Sequence, residues 1–335
     1  MNLSESDAAY AADQFINYFS NLGRIDEYLR NVKLDRMSKM PTYLPGCGPE
    51  EDMFDAFDMH PNDMNFKVYA AGKDDSFSNE YFNERLQITT SHSIESSIPG
   101  KSLKWIVMET NTKKIVGFIR FGSPTINCKP RNDWLGRPPE LKRFNRHSIM
   151  GFIIVPTQPF GFNYLGGKLL AGICCSHLAS EKLNEKYGGP FCMFETTSLY
   201  GTTKSNSQYD GMRPFLRFKG LTESDFAPLI NDDDYRKLND WFVEKNNGEM
   251  LVHPEASSRK LKTQTKMISI IKSSLKDTEP KEYENFIQTF KNAKGLTQKK
   301  RQYMSDYGYE NVKEDRKSTR LNSSHQIISY AVFCL

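Results

Sequence analysis

The stretch from Ile115 to Asn206 constrains the fold more than any other part of this chain. It opens with the apolar run Ile115-Val116-Gly117-Phe118-Ile119-Arg120-Phe121 and reaches a second one, Ile149 to Val155. A turn rich in Pro and Gly follows, then a helix start of small residues, Asn163-Tyr164-Leu165-Gly166-Gly167-Lys168-Leu169-Leu170. A buried strand that breaks into a Gly-bearing helix N-terminus exposes backbone N–H groups and the positive end of a helix dipole. Such a place suits a phosphate or pyrophosphate, provided only glycine stands at Gly166 and Gly167. Gly166→Val is therefore expected to block a ligand while leaving the chain folded.

The pattern around this block predicts an α/β (α+β) fold with a mixed central sheet flanked by helices. Leu103–Glu109 and Lys114–Phe121 read as a hairpin across Thr110–Lys113. Ser148–Val155 reads as a buried strand, Asn163–Lys186 as a helix with Asn163 its N-cap, and Phe191–Thr196 as a returning strand. The order hairpin, strand, helix, strand calls for a crossover, so the strands at Ile149–Val155 and Phe191–Thr196 should be neighbours.

On each side the signal is weaker. Residues 5–22 read as an amphipathic helix, and 41–100 as acidic and irregular with one helix near Glu50–Phe57. Asp232–Asn246 reads as helical. Residues 257–314 read as a helical appendage: Leu261–Leu275, Lys281–Ala293 and Thr297–Asp306. These divisions give an acidic N-terminal segment at 1–100 packing on a core domain at 101–255, then a basic helical segment at 256–314. Residues 315–335 resemble a translated sequencing adapter, Asp315-Arg316-Lys317-Ser318-Thr319-Arg320 through Cys334-Leu335, and are set aside.

Charge follows the same division. Residues 1–100 hold 8 Lys/Arg against 17 Asp/Glu, whereas 256–314 hold 13 against 7, an asymmetry that suits either a polyanion partner or mutual attraction within the chain. No apolar run approaches the roughly 20 residues of a membrane helix. Cys47, Cys128, Cys174, Cys175 and Cys192 lack ligand spacing and read as reduced thiols of a cytosolic protein, in host-cell cytoplasm if the source is viral. The histidines are scattered, and no metal site is expected.

Two basic segments stand out. Arg131, Arg137, Lys142, Arg143 and Arg146 are interleaved with Trp134 and Phe144, which suits phosphate contacts beside an aromatic platform for a base. Lys260, Lys262 and Lys266 lie on one helix of the C-terminal segment, as a tracker of a DNA backbone or a solvated face. Glu195 closes a strand, where a carboxylate can act as a base or pair with an arginine. Asp133 and His147, polar residues beside an apolar strand, are expected either to face the same cleft or to stand as a turn carboxylate and a satisfied histidine.

The strand, turn and helix resemble the acyl-CoA-binding core of GNAT-type N-acyltransferases, in which turn amides hold the CoA pyrophosphate. The register Val155-x-x-Gln158-x-x-Gly161-x-Asn163 carries the likeness, with Gly166 in an alternative register. The wider block, Arg131-x-Asp133-Trp134-Leu135-Gly136, Asn145-Arg146, Leu165 to Leu170, Tyr187-Gly188 and Glu195-Thr196-x-x-x-x-Gly201-Thr202, resembles the DruA-like family of the Druantia anti-phage system. Glu140 to Phe144 and Gly201-Thr202, with Asn206, are also similar to Mom-like phage proteins that modify adenine in DNA. These resemblances imply a GNAT-like fold, acyl-CoA (acetyl-CoA) as cofactor, DNA as partner and no membrane. Glu195 would then be the base, Tyr200 the proton donor to a leaving thiolate, with Asp133 beside them and Lys204 on the nucleic acid. The implied activity is transfer to a nucleobase of DNA. The alternatives are a DruA-like defence or mobile-element protein that binds nucleic acid without acyl transfer, and a small-molecule N-acetyltransferase.

Overall fold

The computed structural model describes residues 1–20, 22–38, 52–90, 100–198, 206–222, 229–256, 259–295 and 299–308. In chain order the described helices are α1 (Glu5–Phe19), α2 (Ile25–Ser38), α3 (Asn79–Thr89), α4 (Lys129–Leu135), α5 (Leu141–His147), α6 (Phe160–Asn163), α7 (Gly166–Cys174), α8 (His177–Tyr187), α9 (Asp232–Lys245), α10 (Arg259–Thr278) and α11 (Pro280–Gly295). The strands are β1 (Phe66–Ala71), β2 (Ser102–Glu109), β3 (Lys114–Gly122), β4 (Ser148–Pro156), β5 (Met193–Ser198), β6 (Arg217–Leu221) and β7 (Arg301–Ser305). The chain forms two compact units, Met1–Leu34 with Ser224–Gln298, and Asp35–Glu223 with Lys299–Leu335.

The second unit is built on one mixed sheet in the order β1-β2-β3-β4-β5-β7-β6. Only β4 and β5 run parallel, with Ile149 opposite Phe194, so the two apolar runs are neighbours as the crossover rule requires. The β2–β3 hairpin closes on the Glu109 carboxylate, which accepts from the backbone N–H of Thr112 (2.7 Å), Asn111 (3.1 Å) and Asn65 (3.1 Å). Burial opposes the charge on Glu109, yet these backbone donors outweigh it and hold the carboxyl below its usual range.

Both faces of the sheet are covered, which is why its inner strands are apolar on both sides. On one face Leu170, Ala171, Cys174, Ala179 and Leu183 of α7 and α8 meet Trp105, Val107, Ile119, Phe121, Ile149 and Phe194. On the other, Phe82 and Leu86 of α3 cover Ile106, Phe118 and Ile153, while Phe144 of α5 sits on Met193 and Met304. Gly117 is required where it stands: a Cβ there would lie 2.4 Å from a Leu170 methyl.

In the first unit, Ala8, Ala11, Ala12, Phe15 and Phe19 of α1 join Met267, Ile271, Leu275, Phe286 and Phe290 of α10 and α11. The alanines make a flat stripe against which large side chains of the partner helices fit.

Four expectations are corrected. The segment 41–100 holds β1 and α3; of the helix expected near Glu50–Phe57, Glu50 and Glu51 lie outside the described residues, and Met53–Phe57 are not helical, Met53 instead bridging Ile115. The helix expected over Asn163–Lys186 is two helices, because Ser176 caps the second by accepting from the Ala179 N–H. Asn163 ends α6 and caps nothing; α7 starts after Leu165, whose φ is 55°. Finally, Arg301–Ser305 is a strand between β5 and β6 and belongs to the sheet, not to the helical appendage. Gln302 to Ser305 are buried on both faces, a pattern a surface helix does not produce.

Candidate functional site

Glu195 lies in the middle of β5, opposite Met150 on one side and Met304 on the other. Its carboxylate is 1% exposed and 3.1 Å from Nη1 of Arg131, itself fully buried. Gln302 of β7 donates to the second oxygen at 2.6 Å. Burial pushes the Glu195 carboxyl up to about 7, against the opposing pull of Arg131 and Gln302.

Arg131 has every donor engaged. Besides Glu195, it donates to the carbonyls of Thr125 (2.6 Å) and Ile126, and through Nε and Nη2 to Oδ1 of Asn132, both at 3.2 Å. Its guanidinium also stacks 4.2 Å from the centre of the Phe144 ring. This side chain ties the loop after β3, helix α4 and helix α5 to the sheet. A residue so enclosed touches no phosphate, so Arg131 leaves the set of expected nucleic-acid contacts. Glu195 is equally withdrawn into the interior, where it pairs with Arg131.

Asp133 is exposed and pairs with Lys129 at 2.6 Å, one turn back on α4. His147 bonds the Pro190 carbonyl at 2.7 Å. Trp134 is half-buried against Phe144, Met193 and Met304, and Lys219 stands over its ring at 4.3 Å, so that face is occupied and not free to stack on a base. Tyr200 and Lys204, with Gly201 and Thr202, lie outside the described residues.

The expected cofactor turn is folded shut. Beyond the Gly151–Thr196 pair, β4 and β5 part company, each continuing only with its outer neighbour. The chain leaving β4 coils immediately, so that Gly161 N–H donates to the Thr157 carbonyl, Phe162 N–H to Oε1 of Gln158, and Asn163 N–H to the Pro159 carbonyl. Val155 is half-buried beside the α3 cluster. A Cβ on Gly166 would lie 2.4 Å from the Phe160 ring, and one on Gly167 would lie 1.7 Å from Oε1 of Gln208. Those two glycines allow close packing. The amides of Gly161, Phe162 and Asn163 are thus engaged within the chain, and Gly166→Val strikes the packing first, which reverses the expectation that such a variant stays folded. Nor are the paired thiols candidates for chemistry, since burial raises Cys174 well above its usual range and Cys175 to about 12.

What the fold does gather is positive charge. Phe144 anchors α5, and Lys142, Arg143 and Arg146 on the same short helix are exposed, as is Arg137 just before it. Arg143 makes a loose pair with Glu140 at 3.7 Å; Arg137, Lys142 and Arg146 have no acidic partner among the described residues. In the other unit, Lys260 is bound to Asp232 at 2.6 Å, while Lys262 and Lys266 are exposed.

Residues 51–205 match the family model of Druantia protein DruA. The match covers less than half of the chain, from before β1 to just beyond β5. It takes in Arg131, Glu195 and the exposed cations of α5, and it supports the DruA-like resemblance; nothing in it concerns acyl transfer or DNA modification. No curated protein and no solved structure matches the chain. Among the described residues no helix is long and apolar enough to cross a membrane, and no group of three or more His, Cys, Asp or Glu could hold a metal ion.

Sequence reasoning singled out Glu195 and Arg131 separately but not their union, and it missed Gln302 and Asn132. Gln302 lies 107 positions from Glu195 with no local signal. Asn132 stood inside the Arg131-x-Asp133 motif, at the position treated as variable.

Proposed function

We propose that this chain is a DruA-like anti-phage defence protein that binds nucleic acid through the exposed cations of Arg137 and α5, without acyl transfer. The observation that carries the reading is that Lys142, Arg143 and Arg146 project from a helix held by Phe144, with Arg137 adjacent and little acid nearby. Unneutralised charge on a rigid support binds a phosphate backbone by releasing its counterions. The closed cofactor turn and the internal pairing of Glu195 weigh against the transferase reading. One observation favours it, the parting of β4 and β5 beyond Gly151 and Thr196, which leaves unpaired backbone beside that turn.

Fluorescence anisotropy with a labelled duplex over a range of salt tests the proposal. The triple variant Lys142→Glu, Arg143→Glu, Arg146→Glu should bind more weakly and flatten the dependence of log K on log salt by about 0.9 for each phosphate no longer neutralised. Lys73→Glu, an exposed change on the edge of the sheet unit, should leave the slope alone. Equal affinity and slope in wild type and triple variant overturn the proposal. Mass spectrometry of nucleosides from DNA co-expressed with the protein separates the second reading, since a modified base requires a transferase.

A further inference from the structure

A cleft of about 660 Å³ opens beside α4, lined by Asn127, Cys128, Lys129, Asn132, Asp133, Gly136, Arg137 and Pro138. Its size is that of a small-molecule site. Its distinguishing feature is Asn132. The side-chain oxygen of Asn132 accepts from Nε and Nη2 of Arg131, both at 3.2 Å. Arg131 is in turn locked by Glu195, Thr125 and Ile126. The amide of Asn132 cannot turn over, because that would set its NH2 against the guanidinium donors. Its Nδ2, with no partner among the described residues, is left as a fixed pair of donors on a side chain that lines the cleft.

Around it the lining is donor-rich. Arg137 is exposed and unpaired among the described residues, Lys129 shares its charge with Asp133, and the Asn127 amide is exposed. A ligand here needs acceptors on a planar edge for Asn132 and a negative group for Arg137 and Lys129. A nucleotide has both: carbonyl and ring-nitrogen acceptors on the base, and a phosphate. The cleft also adjoins the cationic stretch that begins at Arg137, so a strand held there would have a base within reach once unpaired.

We propose that this cleft receives a single unpaired nucleotide, with Asn132 donating to the base edge and Arg137 and Lys129 to its phosphate. The inference rests on the nucleic-acid reading above and adds the unit recognised. The same chemistry could come from a strand or from a free nucleotide, and the arms of the test separate the two. Asn132→Asp is the decisive variant: it keeps the oxygen that Arg131 needs and replaces the donor pair by an acceptor. Asn127→Ala, an exposed change, supports it without threatening the fold.

Anisotropy of the full chain would be measured on two duplexes of equal length, one perfect and one carrying a single-nucleotide bulge. The readout is the ratio of the two affinities, in which the added charge of Asn132→Asp cancels. Wild type is expected to prefer the bulged duplex about tenfold, the worth of a well-placed polar contact. The ratio should fall to near one in Asn132→Asp and part of the way in Asn127→Ala. Equal binding of both duplexes by wild type, or an undiminished ratio in Asn132→Asp, overturns the cleft while leaving the cationic face standing. If neither duplex binds, the nucleic-acid reading falls instead. Saturation-transfer NMR with deoxynucleoside 5′-monophosphates then decides the cleft: signal lost in Asn132→Asp supports a free-nucleotide site, and no signal with wild type overturns it.

Discussion

Replacing Glu195 by Gln removes one buried titratable group at almost constant shape, and its effect should depend on pH in a calculable way. The carboxyl titrates near 7 in the folded chain against an ordinary value of 4.5. Between those values the folded state binds more protons than the unfolded one, so stability falls as pH rises. Protonated Glu195 contributes its full share below about pH 4.5, and that share is lost as pH climbs through 7. A separation of about 2.5 units at about 1.4 kcal/mol each gives roughly 3 kcal/mol. Urea unfolding of wild type and Glu195→Gln at pH 5, 6, 7 and 8 isolates the term, because other titrating groups are common to both. The stability of wild type relative to the variant should decline across the series and level off above pH 7. A flat difference, or a wild type that gains with pH, would mean that Arg131 and Gln302 outweigh burial and would refute the reasoning.

Two predictions concern packing. Gly166→Val presses into Phe160, whose ring lies 2.4 Å from an added Cβ, and should lower stability by about 1–3 kcal/mol or more; Gly172→Ala in the same helix has nothing within 4 Å and should raise it by about 0.5–1 kcal/mol. Equal melting temperatures for the two variants contradict the packing account. In the helical unit, Phe286 is fully buried beside Phe15 and Phe290, with the Phe286–Phe290 centroids 4.8 Å apart, so Phe286→Ala should cost about 3–5 kcal/mol in chemical unfolding.

The parts of the fold that could be read in advance share a physical property: their pattern is local. The β2–β3 hairpin, β4 and β5 are long apolar runs bounded by turn residues, and α1, α9, α10 and α11 carry helical spacing. β1 escaped because Phe66-Lys67-Val68-Tyr69-Ala70-Ala71 is an edge strand, only partly buried and set among acidic residues. β7 escaped because Lys299-Lys300-Arg301-Gln302 reads as polar; what makes Arg301–Ser305 a strand is pairing with Met193–Ser198, about a hundred residues earlier. The same holds for the site. Glu195 and Arg131 were both visible as residues, but burial assigns Arg131 to the interior and not to DNA, and burial is decided by what other segments cover. Asn132 gains its meaning only from the guanidinium that holds it.

β6 ends at Leu221 and β7 begins at Arg301, and those two residues face each other in the ladder. The chain departs and returns at one spot, stitched by Thr222 N–H to the Lys300 carbonyl at 2.8 Å and Lys300 N–H to the Thr222 hydroxyl at 3.0 Å. Between them runs the whole of Ser224–Gln298. On a ribosome this ordering delays an inner strand until all of Ser224–Gln298 has been made. Through that interval the nascent β5 carries an open edge, and Glu195 and Arg131 wait without Gln302. An exposed strand edge beside apolar surface is a place where a chaperone, or another unfinished copy, can bind first. The helices of α9 to α11 thus set a clock on the sheet: the slower they are made, the longer β5 stands unguarded.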